Sequence, residues 1–146
     1  MSSPGGDRGL SREVLRHLMG VMHAMKDHVA GLAATFDLTP SQLAALSHLD
    51  NPCSQRELAE SLHFDASNIT DIVDRLEARG LVERTVDPHD RRIRRIVLTP
   101  DGQELRRKSL EEALATAPTV TSLSAADQRA LCDLLGKIAE PVELPF

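Results

Sequence analysis

The chain has 146 residues, of which 41% are hydrophobic and 27% charged, as expected for one globular domain. No apolar run reaches the length that a bilayer requires, and residues 1–10 lack the apolar segment of a secretory signal. These features exclude a membrane-spanning protein and argue against export. We therefore expect a cytoplasmic protein with a short flexible start at residues 1–10.

The charge is unevenly distributed along the chain. The net charge is −5, yet residues 75–95 contain seven arginines and four acidic residues and carry +3, which leaves −8 for the remainder. A basic segment on an acidic chain attracts a polyanion to one edge of the molecule. A hairpin whose arginines are simply solvated is the alternative. Only 2% of residues are aromatic, which disfavours binding of single strands by base stacking.

Residues 11–36 form the first predicted element, a helix whose apolar residues recur at spacings that alternate between three and four. These residues are Leu15, Leu18, Met22, Met25, Val29, Leu32 and Phe36. Such a helix is roughly 38 Å long at 1.5 Å per residue, which is hard to cover within one small chain. We expect it to pack against a second copy, so a homodimer is predicted; packing on its own chain is the alternative.

Three further helix starts follow from capping chemistry, in which a short polar side chain accepts from the first free backbone N–H groups. Thr39 and Ser54 each begin a capping box, completed by Gln42 and by Glu57. Asp65 is the third predicted cap, and the helix that follows it extends to about residue 79. Only two residues separate the last two helices, so they must cross sharply as a helix-turn-helix.

His63 lies in that short turn, where a residue at positive φ is needed. Glycine is usual at such a position, and histidine is one of the less disfavoured alternatives, so a backbone role is predicted for His63. A metal-binding or pH-sensing role is the other interpretation. Gly80 is expected to end the next helix in the left-handed conformation.

The remaining elements are a hairpin and two helices. Residues 81–86 and 93–98 are rich in β-formers and are joined by a charged tip at residues 87–92. Thr99 and Ser124 are expected to cap two later helices, which end near Pro118 and Pro141. The predicted fold class is mainly α with a small antiparallel β-hairpin.

The helix at about residues 65–79 has short polar side chains near its start, at Ser67, Asn68, Thr70 and Asp71. A recognition helix places such side chains in the major groove, where Asn68 can bond adenine bidentately. The hairpin tip would reach the minor groove with Arg91 and Arg92. The predicted role of the Asp90 carboxylate is to orient a neighbouring arginine.

The segment at residues 75–102, RLEARGLVERTVDPHDRRIRRIVLTPDG, resembles the signature of the MarR (multiple antibiotic resistance regulator) family of winged helix-turn-helix repressors. The likeness lies in RLxxxGLVxR, DRR and LTxxG, and it extends to LTPSQLAALSHL and SQRELAESL upstream. It implies a winged helix-turn-helix lobe at residues 37–99 and N- and C-terminal dimerisation helices at 11–36 and 100–146. It also implies a homodimer that binds a pseudo-palindromic double-stranded DNA operator. A small, often aromatic or phenolic, effector is expected to release that dimer from the DNA.

Together, the residue pattern and the resemblance predict a set of DNA contacts on the third and fourth helices and the wing. This set comprises Gln55, Ser67, Asn68, Thr70, Asp71, Arg75, Arg84, Asp90, Arg91, Arg92 and Arg94, and Arg95 is a further candidate for contact with the DNA backbone. The chain departs from the family pattern at His63, where relatives commonly have glycine, and at Asp71, where they are often basic or small. Asp71 must read a base amine, pair with Arg75 or point away from DNA.

Enzymatic and cofactor-binding motifs are missing from the sequence, which has no GxSxG, no P-loop and no glycine-rich dinucleotide turn. We expect neither catalysis nor a cofactor. A metal- or redox-responsive regulator of the same fold and a non-DNA protein-interaction module are the alternative functions. Cys53 precedes a capped helix, which could lower its pKa, although a small buried residue is favoured, and Cys132 is expected to be structural.

Overall fold

The computed structural model describes residues 4–141, with the side chains of residues 8–117 and 120–141. Its elements in chain order are helix α1 (Pro4–Thr35), helix α2 (Pro40–Ser47), strand β1 (Cys53–Ser54), helices α3 (Gln55–Leu62) and α4 (Ala66–Ala78), strands β2 (Val82–Val86) and β3 (Arg94–Leu98), and helices α5 (Pro100–Thr116), α6 (Pro118–Thr121) and α7 (Ala125–Leu135). The fold is therefore mainly helical with a small antiparallel sheet.

Helix α1 is longer than the sequence pattern predicts. It begins at Pro4, so residues 4–10, expected to be a flexible start, continue the helix. Proline suits a first helical turn because its fixed φ is already helical and its missing N–H would have no partner there. Only the last part of α1 enters the core, through Leu32 and Ala33.

The helix-turn-helix follows the predicted capping chemistry at two of its three starts. Complete capping boxes begin α2 at Thr39 and α3 at Ser54. Asp65 occupies the N-cap position of α4, but its side chain makes no capping hydrogen bond, so that detail of the prediction is wrong. Burial of Ile69 and Val73, which are fully covered, stabilises this helix in place of the cap.

The predicted left-handed positions are confirmed. His63 has φ 55° and ψ 39°, and its backbone N–H donates to the carbonyl oxygens of α3's last turn, so it closes the turn in the place where glycine is usual. Gly80 has φ 70° and separates α4 from the hairpin. The turn therefore keeps its normal backbone despite the histidine.

The sheet has three antiparallel strands in the order β1-β3-β2, one more than predicted. Strand β1 has only two residues, paired as Cys53 with Ile96 and Ser54 with Arg95. Two residues are too few to produce an alternating pattern, and the pairing is non-local, so sequence periodicity does not reveal this strand. It joins the start of α3 to the hairpin, hereafter the wing (residues 82–98).

The core lies between helices α2, α3 and α4 and the base of the wing. Its largest fully buried side chains include Leu43, Leu46, Leu58, Ile69, Leu76 and Ile96. Helix α7 buries none of its residues within the chain. Within residues 4–141 we find no helix that is long and apolar enough to cross a membrane.

Candidate nucleic-acid interface

Helix α4 presents one face to the core and another to solvent. Ile69, Ile72, Val73 and Leu76 are buried, and Ser67 and Asn68 are exposed near the start of the helix. Neither of these two polar side chains makes a hydrogen bond with the residues that the structure describes. Their donors and acceptors are therefore available to a ligand at the helix N-terminus.

Thr70 is also exposed, but its hydroxyl is already engaged. It donates to the carbonyl oxygen of Ala66 at 2.9 Å, and it accepts from Nε2 of Gln55 at 2.5 Å. Because a hydroxyl has one proton, the bond to Ala66 requires the amide nitrogen of Gln55 to face Thr70. Gln55 is thereby held against α4 with its amide oxygen free of this contact.

Asp71 pairs with Arg75, which was one of the three orientations left open by the sequence. Nε of Arg75 lies 3.0 Å from Oδ2 of Asp71, one helical turn away. Both side chains remain exposed, so the pair is screened by solvent and contributes little to stability. It nevertheless balances the negative charge that Asp71 would otherwise present to a polyanion.

The tip of the wing is organised by a buried carboxylate, Asp87, whose side chain is only 6% exposed. Its oxygens accept from the backbone N–H groups of His89 at 2.7 Å and Asp90 at 3.0 Å, and from Nε of Arg95 at 2.6 Å. Its own backbone N–H donates to the carbonyl oxygen of Ile93 at 3.0 Å. Asp87 therefore fixes both the turn and the closing of the hairpin.

Asp90 stabilises the tip differently from the prediction. Its Oδ1 accepts from the backbone N–H of Arg92 at 2.9 Å, instead of holding a guanidinium. A carboxylate two residues before an N–H readily forms such a local turn. The main chain of the tip is fixed in this way, and the side chain of Arg92 is left exposed.

The seven arginines of residues 75–95 fall into two groups. Arg75, Arg84 and Arg95 are ion-paired, and Arg79 donates to two backbone carbonyl oxygens just after α1, at residues 36 and 37. The other three are exposed and have no carboxylate partner in the described part of the chain. They are Arg91, Arg92 and Arg94. The free positive charge of the wing is thus concentrated at its tip.

Asp87→Asn is expected to destabilise the wing at neutral pH and to matter less in acid. The hydrogen bond from Arg95, followed by those from the backbone of His89 and Asp90, lowers the pKa of Asp87 to about 2. A carboxyl group whose pKa is lower in the folded than in the unfolded state stabilises the fold above the unfolded-state pKa of about 3.9. That contribution is lost as the pH falls from about 4 to about 2.

Urea unfolding of wild type and Asp87→Asn at neutral pH and at steps from pH 4 downwards measures this dependence. The difference in unfolding free energy between the two proteins should shrink over that interval. A difference that stayed constant down to pH 2 would show that the charge of Asp87 does not stabilise the wing.

The two cysteines are free thiols, with Cys53 half-buried in β1 and Cys132 exposed on α7. Burial raises the pKa of Cys53, Glu57 adds to the rise, and Arg95 opposes it. The position before a capped helix therefore does not produce the low pKa considered from sequence, and a raised pKa disfavours the reactive thiolate. Among the residues that the structure describes, no group of three or more His, Cys, Asp or Glu side chains is placed to hold a metal ion.

A model of the MarR family matches residues 36–93, from the end of α1 to the wing tip. The HTH-type transcriptional repressor NicR of Pseudomonas putida is 35% identical over 113 residues, which cover 73% of this chain and 69% of NicR. The HTH-type transcriptional regulator YsmB of Bacillus subtilis is 32% identical over 93 residues. This chain therefore matches only 62% of YsmB's length.

Solved structures share the fold. A probable transcriptional regulator from Pseudomonas aeruginosa is 33% identical, with a TM-score of 0.62 over 81% of this chain and 92% of the other. YusO from Bacillus subtilis is 23% identical, with a TM-score of 0.74 over 97% of this chain and 100% of the other. NicR, YsmB and the Pseudomonas aeruginosa protein are named as transcriptional regulators, not as enzymes. From the helix-turn-helix, the wing and these similarities together, we conclude that the chain belongs to the MarR family of transcriptional regulators.

Proposed function

We propose that this regulator binds a pseudo-palindromic DNA operator as a homodimer and represses transcription until a small ligand releases it. Residues 37–99 form the DNA-binding lobe in this proposal, and residues 11–36 and 100–146, of which 142–146 lie outside the described part of the chain, form the dimerisation segments. The observation that carries the proposal is the tip of the wing, where Arg91, Arg92 and Arg94 are exposed and have no carboxylate partner among the described residues, although the whole chain is acidic. The name of its relative NicR, a repressor, supports repression.

The surface of the lobe suits the two grooves of a duplex. Ser67 and Asn68 are short, exposed side chains at the N-terminal end of α4, the part of a recognition helix that reaches base edges in the major groove. The unpaired arginines can enter the minor groove beside it, where negative potential is strongest in narrow segments. Phosphate attraction then supplies affinity, and the helix supplies sequence preference.

Dimerisation is supported by apolar side chains that the chain leaves uncovered at both of its ends. In α1 and around α7 these are Leu10, Val14, Leu15, Met19, Val21, Met22, Leu131, Leu134, Leu135 and Ile138. Exposed apolar surface of this extent is typical of an interface, and a two-fold axis would bring the same patches of two copies together.

Sedimentation equilibrium tests the dimer directly. Wild type should have twice the mass of the chain, and the double variant Leu15→Glu/Leu134→Glu should be monomeric and lose operator binding. Both leucines are exposed within one chain, so the variant should still fold. A wild-type protein that stayed monomeric at micromolar concentration would contradict the assembly.

Ligand release follows from the geometry of such a dimer. Two recognition helices enter successive major grooves only when they lie about one helical turn, roughly 34 Å, apart. A ligand that favours another separation weakens both contacts, and a coupling of about 1–3 kcal/mol lowers affinity roughly 5- to 150-fold. We propose an aromatic or phenolic molecule as that ligand, and a thermal-shift screen of small aromatic acids followed by an operator-release assay tests it.

Fluorescence anisotropy tests DNA binding, with the duplex upstream of the protein's own gene compared with a random duplex. We expect affinity that falls steeply with salt on both and is higher on the upstream duplex. A protein that bound neither duplex at low salt would instead be a protein-interaction module.

Asn68→Ala is expected to weaken binding to the operator by about 1–3 kcal/mol, because a bidentate contact to adenine is lost. Binding to random duplex should change little. The side chain is exposed and makes no hydrogen bond within the described chain, so the unfolding free energy should stay within about 0.5 kcal/mol of wild type. Equal losses on operator and random DNA would show that Asn68 does not read a base.

A further inference from the structure

We propose that Arg84 and Arg95 do not contact DNA but act as positioning residues that fix the wing against the helix-turn-helix. This inference rests on the proposed DNA binding. It changes the roles expected from the sequence for Arg84 and Arg95, which were both predicted to contact DNA. The two arginines and their four carboxylate partners are called here the wing clamps.

The first clamp joins β2 to the recognition helix. Nη2 of Arg84 lies 2.5 Å from Oδ1 of Asp74, and Nη1 pairs with the carboxylate of Glu77. The backbone N–H of Arg84 also donates to Glu77, at 3.3 Å. The arginine side chain is only 24% exposed. One guanidinium therefore bridges two turns of α4, and the strand's backbone adds a third link.

The second clamp joins β3 to the start of α3. Nη1 of Arg95 lies 2.7 Å from Oε2 of Glu57, and its Nε lies 2.6 Å from Oδ2 of Asp87. Glu57 is the same carboxylate that accepts from the backbone N–H of Ser54, at 2.7 Å, in the capping box of α3. Arg95 thus connects the buried carboxylate of the wing turn to the first turn of α3.

The two clamps act on opposite faces of the wing. In the register of β2 and β3, Arg84 is opposite Ile96 and Arg95 is opposite Thr85. Residues directly opposite each other point to the same face and successive residues alternate, so Arg84 and Arg95 occupy different faces. A hairpin held on both faces cannot tilt towards either side without breaking an ion pair.

This arrangement would hold the unpaired arginines of the wing in a fixed orientation relative to DNA. Arg84 and Arg95 each bond two carboxylates, and those negative charges neutralise the guanidinium and repel a phosphate that approaches it. The three unpaired arginines lie at the far end of the same hairpin. Holding that hairpin at a fixed angle to α4 reduces the conformational entropy lost when wing and recognition helix bind together.

Neutralising the carboxylate partners of Arg84 distinguishes the two roles, because a DNA contact predicts higher affinity for DNA and a positioning role predicts lower affinity. The variant Asp74→Asn/Glu77→Gln keeps Arg84 and makes the chain more positive by two charges. A direct phosphate contact would be freed, and affinity for DNA would rise. A positioning role predicts that affinity falls, by roughly threefold to a hundredfold, the range usual for coupled groups.

The matched control lies on α5, where Arg107 pairs with Glu104 and Glu111 in the same pattern of one arginine and two carboxylates. The variant Glu104→Gln/Glu111→Gln adds the same charge outside the predicted DNA contacts, and once sedimentation equilibrium shows that it is still a dimer, its affinity should be equal to or slightly above that of wild type. Asp74 and Glu77 are 58% and 40% exposed, so both variants should fold.

A second measurement compares DNA affinity with and without Asp74→Asn/Glu77→Gln in a protein that also carries Arg91→Ala/Arg92→Ala. A clamp that acts through the wing has only Arg94 left to position there, so most of the loss of affinity should disappear. Hydrogen exchange should also show faster exchange of wing amides in the clamp variant and unchanged exchange in α2. A general loss of stability would not depend on the wing arginines in this way.

The inference is overturned if Asp74→Asn/Glu77→Gln binds DNA as tightly as wild type or more tightly, or if its loss is the same in both backgrounds. These outcomes differ from failure of the proposed function, in which wild type itself would bind no duplex. Arg84→Met supplies an independent check, since it should lose affinity on the intact wing and lose much less in the Arg91→Ala/Arg92→Ala background.

Discussion

Gly102→Ala is expected to destabilise the protein by about 3 kcal/mol, at the upper end of the usual effect of overpacking. A Cβ atom at this position would overlap the backbone carbonyl oxygen of Leu81 and lie 2.9 Å from its carbonyl carbon. The Cδ2 of Leu98 would be 3.3 Å away. Backbone atoms cannot move aside as the end of a flexible side chain can, so helix α5 would have to shift as a whole.

The start of α5 is tied to Gly80 and Leu81, just before β2, by two bonds that resist such a shift. The backbone N–H of Thr99 donates to the carbonyl oxygen of Leu81 at 3.1 Å, and its hydroxyl donates to Gly80 at 2.6 Å. The same hydroxyl accepts from the N–H of Gly102 at 3.1 Å. The close approach of the two backbones is thus a consequence of the cap, and glycine is the residue that permits it.

Urea unfolding measures the effect, with Gly31→Ala as the matched control. Gly31 also lies within a helix, but a Cβ there would meet nothing within 4 Å. Alanine should therefore stabilise that helix by about 0.5–1 kcal/mol, as its higher helix propensity predicts. If Gly102→Ala unfolded at the same urea concentration as wild type, the close packing of α5 on Leu81 would be contradicted.

Local chemistry made part of this fold predictable. The capping boxes at Thr39 and Ser54 depend on residues three positions apart, and the positive φ of His63 follows from the short connection between two helices. In both cases a few neighbouring residues determine the backbone conformation, so their identities are enough to predict it. The fold class and the order of the elements follow from such local signals together with the family resemblance.

The distribution of charge could not be predicted in the same way, because ion pairing depends on residues distant in sequence. Glu57 is 38 positions from Arg95, and Asp74 is 10 positions from Arg84. A count of charges gives +3 for residues 75–95 but does not say which arginines are neutralised. Strand β1 and the contact of Gly102 with Leu81 were not predicted for the same reason.

Arg91→Ala/Arg92→Ala is expected to reduce DNA affinity far more than any other substitution in the wing. Both side chains are exposed and unpaired within the described residues, so their charge is available to phosphate. Each neutralised phosphate adds about 0.9 to the slope of log K against log salt. A dimer that engages both wings loses four such contacts, so the slope should become shallower by about 3.6.

The size of the effect follows from that slope. Counterion release makes the lost affinity greatest at low salt, on the order of a thousandfold at 0.1 M, and makes it vanish towards 1 M. The loss should be similar on operator and random duplex, because phosphate contacts carry no sequence information. Anisotropy titrations of both proteins on both duplexes at several salt concentrations provide the measurement.

Arg107→Ala/Lys108→Ala is the matched control, since it removes the same charge from α5. Neither residue belongs to the predicted DNA contacts, and charges more than a Debye length from DNA, about 10 Å at 0.1 M salt, are largely screened. Once sedimentation equilibrium shows that this variant is still a dimer, its slope should equal that of wild type. An unchanged slope for Arg91→Ala/Arg92→Ala as well would place the wing away from DNA. A slope that fell only in the wing variant would show that two pairs of unpaired arginines, and not the net charge of this acidic chain, determine its attraction to DNA.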